Sequence, residues 1–432
     1  MAFLAALVES ASLNMAKNYR RIEVNSALES IFAEYQKDLL EEYSIFALES
    51  TYESGTYDEE KVKTRLAFFA GEGTTYQLVE KRLLSDASGA PFIKQGVAYT
   101  KAKYGLSQLE LPGSGSNSEE IEAAKEGVIL EEKELLGSVQ DVLSENDVSL
   151  PSENNPLAKL LELQGQSLLK LVLPKDKSLS EKNLENSETL PSERTLMTGN
   201  MATDNAGGME RLAFAEYLLD HFHSFTSTES LRALAYEQEY LLGGKSSDQD
   251  NLEAVIGSLL GIRFGLNYLY IQTDGEKKAE ASVLATTLAT AVQLPMLAEA
   301  LTQGILLAWS YGEGIMDVRT LLAGNKVSLL KTKDTWQLQL MSLFTLGTEE
   351  DTFAGADNEK GLSYQDYLRL LLTLRKPEVL ALRALDLIER NLALNGKSFV
   401  KVDQLFCGLK LQAVSSLRRG ITYTYTCEYE YL

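Results

Sequence analysis

Two cysteines and two histidines in 432 residues leave little material for thiol or imidazole chemistry. Cys407 and Cys427 can pair or stay as buried thiols, and spacing alone does not decide between these. His221 and His223 flank Phe222; on a helix, positions i and i+2 point apart, which makes a poor shared metal site. Basic clusters are missing as well. The formal net charge is −21, and no block of Lys and Arg offers a surface for nucleic-acid phosphates. No apolar run reaches the roughly 20 residues that a membrane span needs. The stretch from Ala281 to Leu297 comes nearest, but Thr286, Thr287, Gln293 and Pro295 interrupt it, so it reads as a buried core helix.

Aromatics are absent from an entire stretch. Between Gly105 and Ala213 there is no Phe, Tyr or Trp in a chain that is 8% aromatic, and five of the eight prolines fall there. Such a composition buries little large apolar surface, so 105–207 is expected to be a largely flexible insertion with short helices near 118–145 and 156–172. It divides the chain into a stalk helix at 1–50, a mixed helical segment at 51–104, the insertion, and a head at 208–432.

What is present is periodicity. Phe3 to Val8 form a short apolar stub that ends at Glu9, and an amphipathic helical pattern continues to about Phe46. The stub reads as the last turns of a truncated anchor running into a soluble stalk. Leu28, Ile31, Phe32, Tyr35 and Leu39 make one apolar stripe, expected to pack on other subunits or on the chain's own head. Asp58 marks the start of a second helix and Pro377 the start of a late one. Tyr76 to Leu84 suits a strand or a helix. Helices are expected at 90–104, 211–224, 248–271, 275–293, 294–322, 363–375 and 377–394.

Ile421, Tyr423, Tyr425, Cys427, Tyr429 and Tyr431 alternate with Thr and Glu, a strand with one tyrosine-rich face. Leu405 to Val414 pairs with it as a hairpin, and Leu234 to Tyr240 alternates as a third strand. The fold class is therefore α+β: a long N-terminal helix, a helical body and a C-terminal antiparallel sheet covered by helices.

No catalytic constellation emerges. Gly243-Gly244-Lys245-Ser246 resembles the end of a phosphate loop, but the first glycine of that motif is replaced by Glu239. The bland reading is a turn, with Ser247 or Asp248 capping the next helix. Glu41-Glu42, Glu131-Glu132 and Glu349-Glu350 read as solvated acids, and no G-x-S-x-G elbow occurs. The tyrosine face suits glycan stacking but reads more naturally as core.

Several segments resemble one family. Leu7-Val-Glu-Ser-Ala11 and the run from Ala27 to Tyr43 are similar to the start of an uncharacterised clostridial family of outsized TadE-like minor pilins, associated with tight-adherence (Tad) pilus systems. The likeness continues at 239–252, 317–326, 361–368 and the terminal strand. The resemblance implies a membrane span ahead of the stub, an extracytoplasmic body, and pilin-like or assembly proteins as partners; the missing catalytic constellation adds the expectation of no cofactor and no enzymatic activity. The rival expectation is a soluble or surface binding module for glycan or peptide.

Overall fold

A computed structural model describes residues 2–71, 73–105, 118–174, 177–202, 208–227 and 231–431. The chain opens with α1 (Ala2–Phe32) and turns at 33–36 into the short α2 (Lys37–Tyr43). The helix expected to run unbroken to Phe46 stops here because Tyr35 bridges to Leu48 and the Gln36 N–H donates to the Ala47 carbonyl (2.9 Å). Gln36 then caps α2 by accepting from the Leu39 N–H (3.2 Å). β1 (Leu48–Glu49) and α3 (Glu59–Ala70) follow, the latter capped by Asp58 as its sequence predicts. Tyr76 to Leu84 resolves into a strand, β2 (Thr74–Leu83). α4 (Asp86–Tyr104) becomes regular only from about Ala90, since Ala87, Ser88 and Gly89 all have positive φ. Gly89 is required there: a Cβ would lie 2.9 Å from the Cβ of Ala381.

The segment expected to be a flexible insertion carries α5 (Ser118–Glu145), α6 (Pro156–Gln164) and α7 (Leu168–Val172). Ile121, Val128, Val139, Leu143, Leu160 and Leu163 from these helices are buried in the main core. Leucine and valine supply the burial that aromatics supply elsewhere. Residues 106–117, 175–176 and 203–207 of that segment lie outside the described residues.

The helical body continues with α8 (Gly208–His221), α9 (Glu237–Gly243), α10 (Asp248–Ile271), α11 (Gly275–Ala291), α12 (Ala298–Leu322), α13 (Tyr364–Leu374) and α14 (Pro377–Leu394). Leu234 to Tyr240 is thus not a third strand. Leu234, Tyr236 and Tyr240 are buried, but so are Glu237, Gln238 and Glu239, so the alternation does not separate two faces. α11 is less enclosed than expected; it buries Ala281, Ala285, Leu288 and Ala289 and exposes Val283. Among the described residues α10 is long and apolar enough to cross a membrane, and it is packed mostly inside the protein.

β3 (Leu405–Ser416) is the central strand. It pairs antiparallel with β2 on one side and with β1 and β4 (Thr422–Glu430) on the other. Leu411 faces Leu78 and Cys427. The expected hairpin is present; the remaining strands come from the N-terminal third. α1 and α3 cover one sheet face, where Val24, Leu28, Ile31, Phe32, Val62, Leu66, Leu409 and Leu411 form a second core. Each such side chain fully withdrawn from water contributes roughly 1.5–3 kcal/mol.

Four buried charges join α10 and α12 to the loop after α12. Arg263 Nε donates to Asp317 Oδ2 (2.9 Å), and Nη1 donates to the Leu329 carbonyl (2.8 Å) and the Tyr367 hydroxyl (2.9 Å). Lys331 Nζ sits 2.7 Å from Asp317 Oδ1 and 2.5 Å from Glu313 Oε1. Glu313 also accepts from the backbone N–H groups of Gln337 and Leu338. Two cations and two carboxylates cancel. Replacing Asp317 by Ala leaves Arg263 buried without a carboxylate, and chemical denaturation should show a loss of roughly 3–5 kcal/mol. Phe32→Ala, measured the same way, should cost about 3–5 kcal/mol through the cavity left under the sheet.

Candidate functional site

α1 carries two apolar faces. One is the face on the sheet: Phe32 packs 4.7 Å from the Tyr429 ring and 5.1 Å from the Tyr431 ring, and the Tyr425 hydroxyl donates to Asn25 Oδ1 (3.0 Å). Lys17 Nζ lies 5.8 Å over Tyr423, so α1 runs along β4 in the same direction. The tyrosine face is therefore half-buried beneath α1.

The five-residue face expected to pack on other subunits or on the chain's own head is occupied within the chain. Leu28, Ile31 and Phe32 sit in the sheet core, Leu39 belongs to α2 and the main core, and Tyr35 lies in the turn between them, its ring 5.3 Å from Phe46. The break at 33–36 separates residues that a continuous helix would have aligned.

The other face of α1 is open. Leu4, Val8, Met15 and Ile22 are 62%, 68%, 73% and 64% exposed, and Tyr19 is exposed beside them. With Ala11 and Asn18 they follow a spacing of three and four, the repeat of a helix seam that packs on another helix. Ile22 and Ile31 are nine residues apart, about two and a half turns, so this seam lies opposite the one on the sheet. Nothing before Val24 in α1 is buried among the described side chains. An exposed apolar stripe of this length on a folded chain marks an interaction surface. The sequence contained its spacing all along; the stripe nearer the head, with more bulk, masked it.

A second feature is a cleft of about 1070 Å³ between the end of α1, α2 and α3, lined by Glu34, Tyr35, Tyr52, Arg65, Phe68 and Phe399. Arg65 Nε donates to both oxygens of Glu34 (2.9 Å each), and its guanidinium lies 4.8 Å and 5.0 Å from the Phe68 and Phe69 rings. Tyr52 and Glu53 hold left-handed φ values of 50° and 67°. The Glu49 carboxylate holds that turn by accepting from the N–H groups of Thr51 and Glu53, at 2.8 Å each.

The remaining motif residues are absorbed by structure. His221 ends α8, its Nδ1 2.9 Å from the Tyr217 carbonyl and its Nε2 3.2 Å from Ser44 Oγ; burial holds both histidines below the ordinary imidazole value. Cys407 and Cys427 are free and lie in different cores, and burial pushes the Cys427 thiol up to about 12. Glu131 and Glu132 are not simply solvated: they accept from the Tyr268 hydroxyl (2.6 Å) and Gln164 Nε2 (2.7 Å). Ser247 caps α10, while Asp248 turns inward to accept from the Ala235 and Tyr236 N–H groups. Among the described residues no group of His, Cys, Asp and Glu is placed to hold a metal.

α9 brings buried acids together. Glu239 accepts from the Phe225 N–H (2.9 Å) and the Tyr364 hydroxyl (2.7 Å), and Asp386 accepts from the Ser192 N–H and the Tyr240 hydroxyl. Desolvation raises Glu239 from 4.5 to about 7 and Asp386 from 3.8 to about 6. Their desolvation bears on stability.

The class defined by these observations is an α+β protein that presents a stalk-like helix and shows no assembled catalytic centre among its described residues. Residues 146–417, more than half of the chain, match a family of unknown function, DUF5702, and the chain belongs to that family. No curated protein and no solved structure matches it.

A folded protein that binds protons more readily than its unfolded chain loses stability as pH rises. For Glu239 that window runs from about pH 4.5 to 7. Asp274, Asp351 and Asp366 are held below their ordinary value, so their stabilisation is lost only as pH falls below that range. Glu239→Gln should therefore raise the melting temperature at pH 8, by the equivalent of roughly 1–3 kcal/mol, and leave it nearly unchanged at pH 5.

Proposed function

We propose that this chain is a pilin-like, membrane-anchored surface protein, a minor subunit of a Tad-type pilus or of its assembly machinery, acting as a structural or interaction element and not as an enzyme. The observation that carries the reading is the outward seam of α1. Leu4, Val8, Met15 and Ile22 lie exposed on a helix that is fixed to the sheet by its residues from Val24 to Phe32. A pilin works in this way, with one side of its long helix holding the head and another meeting the helices of neighbouring subunits. The resemblance of Leu7 to Ala11 and Ala27 to Tyr43 to TadE-like proteins points in the same direction, as does an acidic surface of net charge −21.

Cells expressing the complete gene should carry the protein in the membrane or surface fraction; recovery only from the cytosol overturns the reading. The combined substitution of Leu4, Val8, Met15 and Ile22 by Ser should leave the melting temperature of the head within about 0.5 kcal/mol equivalent of the parent. The same substitution should abolish cross-linking to partner subunits in those cells.

The cleft beside α3 supports a second reading, a binding module. Its exposed Phe68 and half-buried Tyr35, Tyr52 and Phe399 offer stacking surfaces next to carboxylates, which suits a glycan or a short peptide.

A further inference from the structure

Arg383 of α14 is a cation without a carboxylate in a chain dominated by acids: among the described residues no Asp or Glu lies within ion-pair distance of it. Its Nη1 donates to the Leu241 and Leu242 carbonyls at the C-terminal end of α9 (2.7 and 2.9 Å), which fixes the guanidinium in place. The plane lies across Gly244, where a Cβ would come 2.3 Å from Nη2 and 2.6 Å from Nε. Gly244, at φ +64°, is thus needed both for the turn and for the closeness of the arginine. Nε and Nη2 keep no partner among the described residues.

Those two nitrogens border a cleft of about 300 Å³ between the turn after α9, the segment 184–193 and α14. Lys245, Ser246 and Ser187 also line it, and the Lys245 ammonium and both hydroxyls are unpartnered among the described residues. The turn is preorganised. Asn251 Oδ1 accepts from the Lys245 N–H (2.7 Å), Asn251 Nδ2 donates to the Lys245 and Ser247 carbonyls (2.8 Å each), and the Leu184 N–H donates to the Ser246 carbonyl (2.9 Å). Burial first, and then nearby Arg375, hold Arg383 below its ordinary value, although Asp386 and Glu193 act on it in the opposite sense. Glu193 shares the rim and opposes an anion, whereas Asp386 behind it has its oxygens taken up by the Ser192 N–H and the Tyr240 hydroxyl. Leu184, Leu190, Val379 and Leu382 make the remaining wall apolar.

We propose that this cleft binds a phosphoryl group carried on a small apolar moiety. The Arg383 fork takes two oxygens, Lys245 supplies a point charge, Ser187 and Ser246 donate hydroxyls, and the leucine wall receives the rest of the ligand. It is not a phosphate loop: no row of backbone N–H groups wraps the anion, and side chains do the recognition.

The test titrates the whole chain with phenyl phosphate and with inorganic phosphate at constant ionic strength, followed by calorimetry and melting temperature. Phenyl phosphate should bind saturably and more tightly than inorganic phosphate. Lys245→Gln, an exposed side chain whose loss leaves the fold intact, should weaken binding roughly tenfold, the worth of one charge-assisted hydrogen bond. Glu193→Gln should tighten it, because the opposing carboxylate is gone. Arg383→Lys keeps charge but loses the fork, and should weaken binding more than Lys245→Gln does. Absence of saturable binding overturns the proposal, and so does binding that Lys245→Gln and Glu193→Gln both leave unchanged.

Discussion

Everything in the helical body is hung on the four charges between α10 and α12. α12 is enclosed almost all round, so its Glu313 and Asp317 have no route to water. Glu313 is tolerable only because Lys331 reaches it and the Gln337 and Leu338 N–H groups complete its coordination, and Asp317 only because Arg263, Lys331 and the Asn267 side-chain amide reach it. The same contacts fix the loop that follows α12: the Leu329 carbonyl, the Thr335 carbonyl and the N–H groups of Gln337 and Leu338 all bond to members of the cluster. Tyr367 ties α13 to it as well. An apolar quartet of equal volume would pack there without desolvating any charge, yet it would leave the loop's polar groups unanswered. The cluster's contribution is therefore positional: it selects one arrangement of three helices and a connection that has little regular structure of its own.

How much of this was legible in the residues depends on whether a local pattern meant one thing. The terminal hairpin, the cap at Asp58 and Pro377 at the head of α14 could be read directly, because each rests on a short-range preference that tertiary packing reinforces, while the cap of α10 was narrowed to Ser247 or Asp248. α9 was illegible for the opposite reason. Its glutamates looked like the wet side of a strand, and nothing local announces that Phe225, His223, Tyr364 and Asn391, all distant in sequence, will supply their hydrogen bonds. The aromatic-free segment misled in a related way. Absence of large rings suggests absence of burial, whereas leucines at helical spacing in α6 fill the space against α12.

The candidate surfaces divide along the same line. The first apolar stripe on α1 was visible but turned inward, and its apparent continuation through Tyr35 and Leu39 crossed a break that only the bridge to β1 reveals. The outward seam was equally present as spacing, but its residues alternate with Ala, Ser and Asn, so its bulk is low. The Arg383 cleft had one visible member, the Gly-Lys-Ser turn, and the arginine that gives it meaning stands far along the chain.

The alignment of α1 with β4 has a mechanical consequence. A pull on the N-terminal side of the helix is delivered parallel to the strand beneath it, so the contacts from Val24 to Phe32 are strained together instead of being peeled off in turn. Rupture in that direction demands the simultaneous loss of the whole interface, and the central position of β3 spreads the load across both of its neighbours. The interface between α1 and the sheet thus resists traction along the helix axis far better than a force applied across it.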